Sequence, residues 1–228
     1  MSVWAVIAAA GSGERLGLDR PKAFANLRDR PLLAESLERL EESDWIDSIV
    51  VAAPPDWEEP VILLAEELGC GKVVEAVTGG ATRAASVAAA VNIVPEDAAV
   101  VLVHDAARTV LSEEVIERVL TALNEGWDGA IPVLPLTDTV KRVESDRVVE
   151  TVAREGLAVA QTPQAFVAPV LRGALSDDDA TDCAALVEAR GGRIKAVPGD
   201  PRLFKVTDPA DLELVESWLE SLPAETPG

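Results

Sequence analysis

The chain has 228 residues, 48% of them hydrophobic and 26% charged, and at this size about 70% of the unfolded surface can be buried, which excludes a disordered, collagen-like or disulfide-scaffold polypeptide. Twenty basic against forty acidic residues give a formal charge of −20, so neither a nucleic-acid binder nor an anionic-membrane binder is expected, since both need a basic face. Cys70, Cys183 and the lone His104 offer no zinc-ligand spacing, and the apolar start Val3–Ala10 is too short to span a membrane and lacks a basic leader, so the expected setting is cytoplasmic and reducing.

The first predicted strand, Val3–Ala9, runs into the glycine loop AAAGSGERLGLDRPK, residues 8–22. Leu33, Leu37 and Leu40 then recur at i, i+4 and i+7, the stripe of a helix packed on a sheet. Predicted strands follow at Ser48–Ala53 and Lys72–Ala76, the glycine pair of TGGATRAAS at 78–86, and a strand at Ala99–His104 that ends in VHDAAR. Ile116, Leu120 and Leu123 mark a second helix, and Ala130–Leu134 a further strand. Residues 138–152 (DTVKRVESDRVVETV) alternate polar and β-branched side chains around Glu144-Ser145-Asp146, which predicts a hairpin. With so few bulky apolar residues it cannot pack deeply on its own sheet, and a lone ribbon is marginal in water, so it is expected to pair with another subunit. Strands at Leu157–Ala160 and Arg193–Val197 complete the set. In FKVTDPADL (204–212), Thr207 or Asp208 is expected to cap a helix that has Pro209 in its first turn. Short strands alternating with helical segments predict an α/β, Rossmann-like architecture: a mainly parallel sheet with helices on both faces, residues 1–228 forming one domain and 137–156 a protruding β-hairpin arm.

Chemistry is concentrated in a few loops. Ala9, Ala10, Gly11 and Gly13, at a strand's C-terminal end, let a ligand approach the backbone closely, and exposed N–H groups there form an anion nest. Leu16 breaks the dinucleotide fingerprint, and no GK is followed by Ser or Thr, so neither a nicotinamide site nor a Walker loop is indicated. Arg15, Arg20 and Lys22 gather there in an otherwise acidic chain, which points to a phosphorylated substrate. Asp105, at the tip of a central strand, is a candidate Mg²⁺ ligand beside substrate phosphates. His104 reads as a hydrogen-bonded strand-end histidine rather than a base, and no GxSxG elbow accompanies it. Gly79 and Gly80 permit close backbone approach, and Ser86 offers a hydroxyl in the next helix. Lys205 stands just before the last capped helix. Thr162, Thr181 and Asp182 fit either site chemistry or turn and capping chemistry.

In order and spacing, AAAGSGERLGLDRPK, TGGATRAAS, VHDAAR, DTVKR, QTPQ, ATD and FKVTDPADL resemble the 2-C-methyl-D-erythritol 4-phosphate cytidylyltransferases of the non-mevalonate isoprenoid pathway. The glycine loop alone marks the wider nucleotidyltransferase superfamily; VHDAAR, DTVKR and QTPQ narrow it to this family and the related ribitol 5-phosphate cytidylyltransferases. The resemblance implies transfer of cytidylyl from CTP to the sugar-alcohol phosphate with release of pyrophosphate, a divalent cation such as Mg²⁺, and a homodimer through the arm. It implies that Arg15 and Lys22 stabilise charge at the α-phosphate, and that Ala9, Ala10, Gly11, Gly13, Gly80, Ser86, Asp105 and Ala106 surround the nucleotide, Asp105 beside the metal. Arg154 and Lys205 would position the acceptor, with Thr139, Thr162 and Thr181 near it, Thr139 and Arg154 arriving on the arm. Cys183 follows Asp182 where members often carry another acid, and Ala81 follows Gly80 where some carry a polar or charged residue. The competing readings are a ribitol 5-phosphate cytidylyltransferase or another sugar-phosphate nucleotidyltransferase, which would share the loop, an NAD-linked oxidoreductase, disfavoured by Leu16, and a non-catalytic nucleotide-binding regulator, which would not need the cation set.

Overall fold

The computed structural model describes residues 2–13, 16–17, 19–175 and 182–221. Apolar β-rich runs form the strands of an eight-stranded sheet: β1 (Val3–Ala8), β4 (Ser48–Ala53), β5 (Val73–Thr78), β6 (Val100–Asp105), β7 (Gly129–Pro135), β10 (Ala158–Ala160), β11 (Gln164–Val167) and β12 (Ile194–Pro198). The remaining strands are short β2 (Asn26–Leu27) and β3 (Arg30–Pro31), which pair with each other, and β8 (Val140–Glu144) and β9 (Arg147–Val152), which form the arm. The main sheet has the order β10-β7-β11-β6-β1-β4-β5, with β12 beside β7.

Pairs β1–β6, β1–β4, β4–β5 and β7–β12 are parallel, whereas β11 runs antiparallel between β6 and β7, and β10 antiparallel to β7. All seven strands expected from sequence are present, shifted by a residue or two. The unexpected one is β11, which turns half of the sheet from parallel to mixed. It sits directly behind the QTPQ motif and feeds α5 (Ala168–Ala174) without a loop, so the motif is a strand entrance rather than a surface turn.

Two apolar layers sandwich the sheet. Helices α1 (Leu32–Glu42), α2 (Glu58–Leu68) and α4 (Glu113–Asn124) cover one face. The stripe Leu33, Leu37 and Leu40 is buried there beside Ile7, Ile49, Val51 and Leu102, and Ile116 and Leu120 complete the layer. Helices α3 (Arg83–Val91), α5 and α6 (Cys183–Ala189) cover the other, packing Val87, Leu171 and Val187 on Val6, Val50, Val101 and Phe166. Alternate residues of the central strands thus face opposite helix layers, as the two-residue strand period dictates.

A third, smaller cluster decides where the site lies. The last helix, α7 (Pro209–Ser221), contributes Val215, with Leu212 and Trp218 at its margin, against Leu27, Leu32, Ala107, Val110 and Val206. Asp208 Oδ1 accepts the Asp211 amide (3.1 Å), while Asp211 Oδ2 accepts the amides of Thr207 (2.6 Å) and Asp208 (3.1 Å). This reciprocal capping box starts the helix at Pro209. The Val206 amide also donates to the Ala107 carbonyl (2.9 Å), which fixes Lys205 against the end of β6.

The arm stands apart from these layers. Register pairs Glu144 with Arg147 across Ser145 and Asp146, and Ser145 takes the positive φ (53°) that such a two-residue turn requires. Val143 and Val148 lie directly opposite each other and are 56% and 57% exposed.

Candidate active site

The C-terminal ends of β1, β4, β5 and β6 meet at one edge, where an open α/β sheet leaves its crevice. The Ala9 amide donates to the Ala52 carbonyl (2.9 Å), the Gly79 amide to the Ala53 carbonyl (2.7 Å) and the Ala106 amide to the Ala8 carbonyl (3.2 Å). These three bonds tie the loops into the wall of a cleft of about 660 Å³. Ala8 to Gly13, Lys22 and Ala23 line one side, Gly80 to Arg83 and Ser86 a second, and Asp105 to Ala107, Lys205 and Thr207 a third.

The glycine loop does two jobs. Around Gly11 a Cβ would meet nothing within 4 Å, so backbone is open to a ligand there. The amides of Ala10, Gly11 and Ser12 have no acceptor among the described residues, as an anion nest requires. At Gly13, by contrast, φ is +74° and a Cβ would lie 2.6 Å from the Lys22 Cβ. That glycine therefore serves the chain itself, letting the backbone fold back onto Lys22, whose amide faces the Gly11 carbonyl at 3.4 Å. Pro21 precedes the 3₁₀ turn Lys22–Phe24, and Phe24 anchors it by packing on Trp57 with ring centroids 4.3 Å apart.

Gly79 is also a packing glycine. A Cβ would lie 2.3 Å from the Ala10 Cβ and 2.9 Å from Ser86 Oγ, so this residue lets two loops touch rather than admitting a ligand directly. Thr82 caps α3 by accepting the Ala85 amide (3.1 Å). Ser86 Oγ lies 2.9 Å from the Thr82 carbonyl and 3.3 Å from that of Gly80, holding the turn that shapes the cleft.

Charge is focused on Asp105. Its Oδ1 accepts Arg83 Nε (2.8 Å), its Oδ2 accepts Lys205 Nζ (2.8 Å), and Arg108 Nε stands 3.9 Å away. Burial alone would raise the carboxyl's pKa, but the positive charges of Arg83 and Lys205 outweigh it and hold the group well below the usual carboxylate range. Three positive groups against one negative leave this corner cationic within an acidic protein.

His104 is fully buried one residue earlier. Its Nε2 donates to the Arg108 carbonyl (3.0 Å), and its Nδ1 accepts the Thr162 hydroxyl (3.2 Å). Thr162 Oγ1 in turn accepts the Asp105 amide (3.0 Å). Burial pushes the imidazole down to about 4, so it is neutral near pH 7 and acts as a brace for the Asp105 backbone.

Among the residues singled out from sequence, Ala9, Ala10, Gly11, Gly13, Lys22, Gly80, Ser86, Asp105, Ala106 and Lys205 all line the cleft. Arg15 and Thr181 lie outside the described residues. Arg20 is exposed, donates to Asn26 Oδ1 (3.2 Å) and does not contribute to the lining. Thr162 is buried beneath Asp105 rather than in the lining. Thr139 and Arg154 lie in the arm just outside its paired strands; both are exposed, neither lines the cleft, and Arg154 donates to the Thr137 carbonyl. Asp182 caps α6 by accepting the Ala185 amide (2.9 Å) and also accepts Gln164 Nε2 (3.0 Å). Arg83 also lines the cleft and is not among the residues singled out; a cation soon after Gly79 and Gly80 in an otherwise acidic chain is the signal that could have marked it.

Among the described residues, Asp105 is the one carboxylate in the cleft lining and no cluster of three His, Cys, Asp or Glu occurs. Each Asp105 oxygen keeps a lone pair beyond its bond to Arg83 or Lys205, so this carboxylate could share a Mg²⁺ ion held mostly by substrate phosphates, whereas the donor set does not fit an all-protein metal cage.

Comparison with known proteins agrees with the geometry. The family model for 2-C-methyl-D-erythritol 4-phosphate cytidylyltransferase matches residues 3–221. A protein of that name from Frankia casuarinae is 46% identical over 220 residues, covering 95% of this chain and 81% of the relative. One from Saccharopolyspora erythraea is 44% identical, covering 96% and 100%. The crystal structure of 2-C-methyl-D-erythritol 4-phosphate cytidylyltransferase from Thermus thermophilus superposes with a TM-score of 0.80 at 34% identity, covering 96% of this chain and all of that one.

Proposed function

The chain belongs to the 2-C-methyl-D-erythritol 4-phosphate cytidylyltransferase family, and from that premise we propose how its cleft transfers cytidylyl from CTP to the sugar-alcohol phosphate in non-mevalonate isoprenoid synthesis. A phosphate oxygen of the acceptor forms a bond to the α-phosphorus of CTP, the bond to the β-phosphate oxygen breaks, and pyrophosphate leaves with the electron pair. The nucleophile is already an anion, so no general base is required, and the neutral, fully bonded His104 is consistent with that. Positioning and charge stabilisation carry the reaction.

The observation that supports this reading best is the convergence of Lys22, Arg83 and Lys205 on one glycine-lined cleft in a chain of net charge −20. Lys22 and Arg15 neutralise charge developing at the α-phosphate, and the open amides of Ala10, Gly11 and Ser12 face the polyphosphate. Gly80, Ser86 and Ala106 enclose the nucleoside, and Lys205 meets the acceptor. Asp105, with the nucleotide's phosphates, would hold Mg²⁺, which would supply further charge neutralisation. Gly79→Ala should raise KM for CTP about tenfold without loss of fold by circular dichroism, because the added methyl separates the loops that shape the cleft; an unchanged KM would show that the loop contact is dispensable.

Thr139 and Arg154 reach an acceptor only if the arm, residues 137–156, crosses to the cleft of a second copy. The exposed Val143–Val148 pair, a two-residue-wide apolar face on a ribbon with no core of its own, supports a homodimer joined there. A monomeric mass in solution at micromolar concentration would count against it. No described helix is long and apolar enough to cross a membrane, and both cysteines are buried free thiols, which supports a cytoplasmic setting.

Substrate choice is tested by pyrophosphate release with CTP, UTP, GTP and ATP, each with methylerythritol phosphate and with ribitol 5-phosphate, with and without EDTA. Release confined to CTP and methylerythritol phosphate, lost with EDTA and restored by Mg²⁺, is expected. Preference for ribitol 5-phosphate would reassign the acceptor, and turnover in EDTA would remove the metal.

A further inference from the structure

Arg83 opens α3 directly behind the glycine pair, and its guanidinium is shared unequally. The Nε group donates to Asp105 Oδ1 (2.8 Å), Nη1 faces the Cys183 sulfur (3.6 Å), and Nη2 is buried with no hydrogen-bond partner among the described residues. Burial keeps the Cys183 thiol protonated, so the sulfur offers Arg83 no countercharge. Asp105 is therefore the carboxylate to which this arginine is committed. The same carboxylate takes Lys205 on its other oxygen, 100 residues further along the chain.

Such an arrangement has an electrostatic consequence. A carboxylate bonded to one cation cancels it; a carboxylate shared between two leaves a net positive charge and is pinned from both sides. With Arg83 on Oδ1, Asp105 cannot rotate to chelate Lys205 alone, and the ammonium group keeps its attraction for a phosphate in the cleft. Without Arg83, Asp105 and Lys205 collapse to a neutral pair. We propose that Arg83 is a positioning residue for cytidylyl transfer: by taking one oxygen of Asp105 it sets that carboxylate's orientation and leaves the positive charge of Lys205 only partly cancelled on the side of the acceptor. This rests on the reading of the cleft given above. Arg83 acts through Asp105, and among the described residues the group that faces its other side is the Cys183 thiol rather than a carboxylate.

The test is a double-mutant cycle in steady-state kinetics, varying CTP and methylerythritol phosphate separately. Arg83→Gln should lower kcat about tenfold or more, with KM for CTP changing less than about threefold, and Arg83→Lys should recover most of the loss. In an Asp105→Asn background, measured on its residual rate, Arg83→Gln should cost less than about threefold, because the group it acts through is gone. An equal loss in both backgrounds, or a loss carried by the CTP KM, would overturn the proposal and make Arg83 a direct nucleotide ligand. Should Arg83→Gln unfold at the assay temperature, the folded Arg83→Gln/Asp105→Asn protein decides: turnover about tenfold below that of Asp105→Asn overturns the proposal, and near-equal turnover supports it. Wild-type turnover with the same substrates, run alongside, reports on the cleft's assignment itself, so failure there is distinguishable from failure of Arg83.

Discussion

Lys22→Ala is expected to turn over CTP about a hundredfold to a thousandfold more slowly than the wild type, the cost of removing one preorganised donor from developing transition-state charge. The loss should fall on kcat. Lys22 sits on a short 3₁₀ turn pinned by Pro21 on one side and by Phe24 against Trp57 on the other, so its backbone stays in place when the side chain is trimmed. Gly13 packs against that backbone and is indifferent to the ammonium group. Thermal melting should therefore move little, and stopped assays of pyrophosphate release measure the chemical defect directly. Turnover near that of the wild type would remove the lysine from the mechanism.

A second large effect concerns acid stability. His104 is buried neutral, with a pKa pushed down to about 4 from an ordinary value of 6.5. As pH falls through 6.5 the unfolded chain takes up a proton at this position and the folded chain does not, so stability drains away until pH reaches about 4. A shift of that size corresponds to about 3 kcal/mol at the lower end of the window. Asp105 acts in a separate window: its depressed pKa contributes stability above the ordinary carboxylate range, and that contribution is lost only as pH falls below about 4. Urea unfolding of the wild type at pH 7 and pH 4.5, beside His104→Gln, separates the two. The wild type should lose more stability than the variant across that interval, since the glutamine cannot titrate and the remaining carboxylates are common to both proteins. Parallel losses would show that the imidazole is not the group responsible.

Both expectations rest on features that differ in how far sequence alone could disclose them. The strands were legible because each is a short apolar run bounded by turn residues, and the two leucine- and isoleucine-bearing stripes gave α1 and α4 directly. A cap at Thr207 or Asp208 ahead of Pro209 was legible because its chemistry is local; the part Asp211 plays in closing the box comes from the structure. Strand β11 was not. Its four residues, QAFV, are too few to show alternation, its first three are buried, and a proline immediately before it is an ordinary mark of a loop. The two-residue strands β2 and β3 fall below any periodic signal.

The site divides along the same line. Strand ends in an open α/β sheet converge, so the glycine loop, the second glycine pair and Asp105 could be placed together by rule. Which charges pair could not, because Asp105 finds Arg83 and Lys205 through the fold, 22 and 100 positions away. Arg83 was hidden in plain view: the scarcity of cations that drew attention to Lys22 applies equally to an arginine following Gly79 and Gly80. His104 and Thr162 illustrate the reverse case. Each carries chemistry that invites a catalytic role, yet the structure spends their polar atoms on one another, on the Arg108 carbonyl and on the Asp105 amide.

In the proposed reaction the acceptor's own phosphate attacks the α-phosphorus of CTP within the cationic cleft. Phosphorus-31 NMR of the reaction mixture with methylerythritol phosphate tests it most directly, because it reads which atoms have become joined. The acceptor monophosphate signal should disappear, giving a new pair of mutually coupled diphosphate resonances and free pyrophosphate in equal amount. A cytidine monophosphate signal beside an unchanged acceptor, or an acceptor joined through a hydroxyl with its phosphate still free, would contradict it.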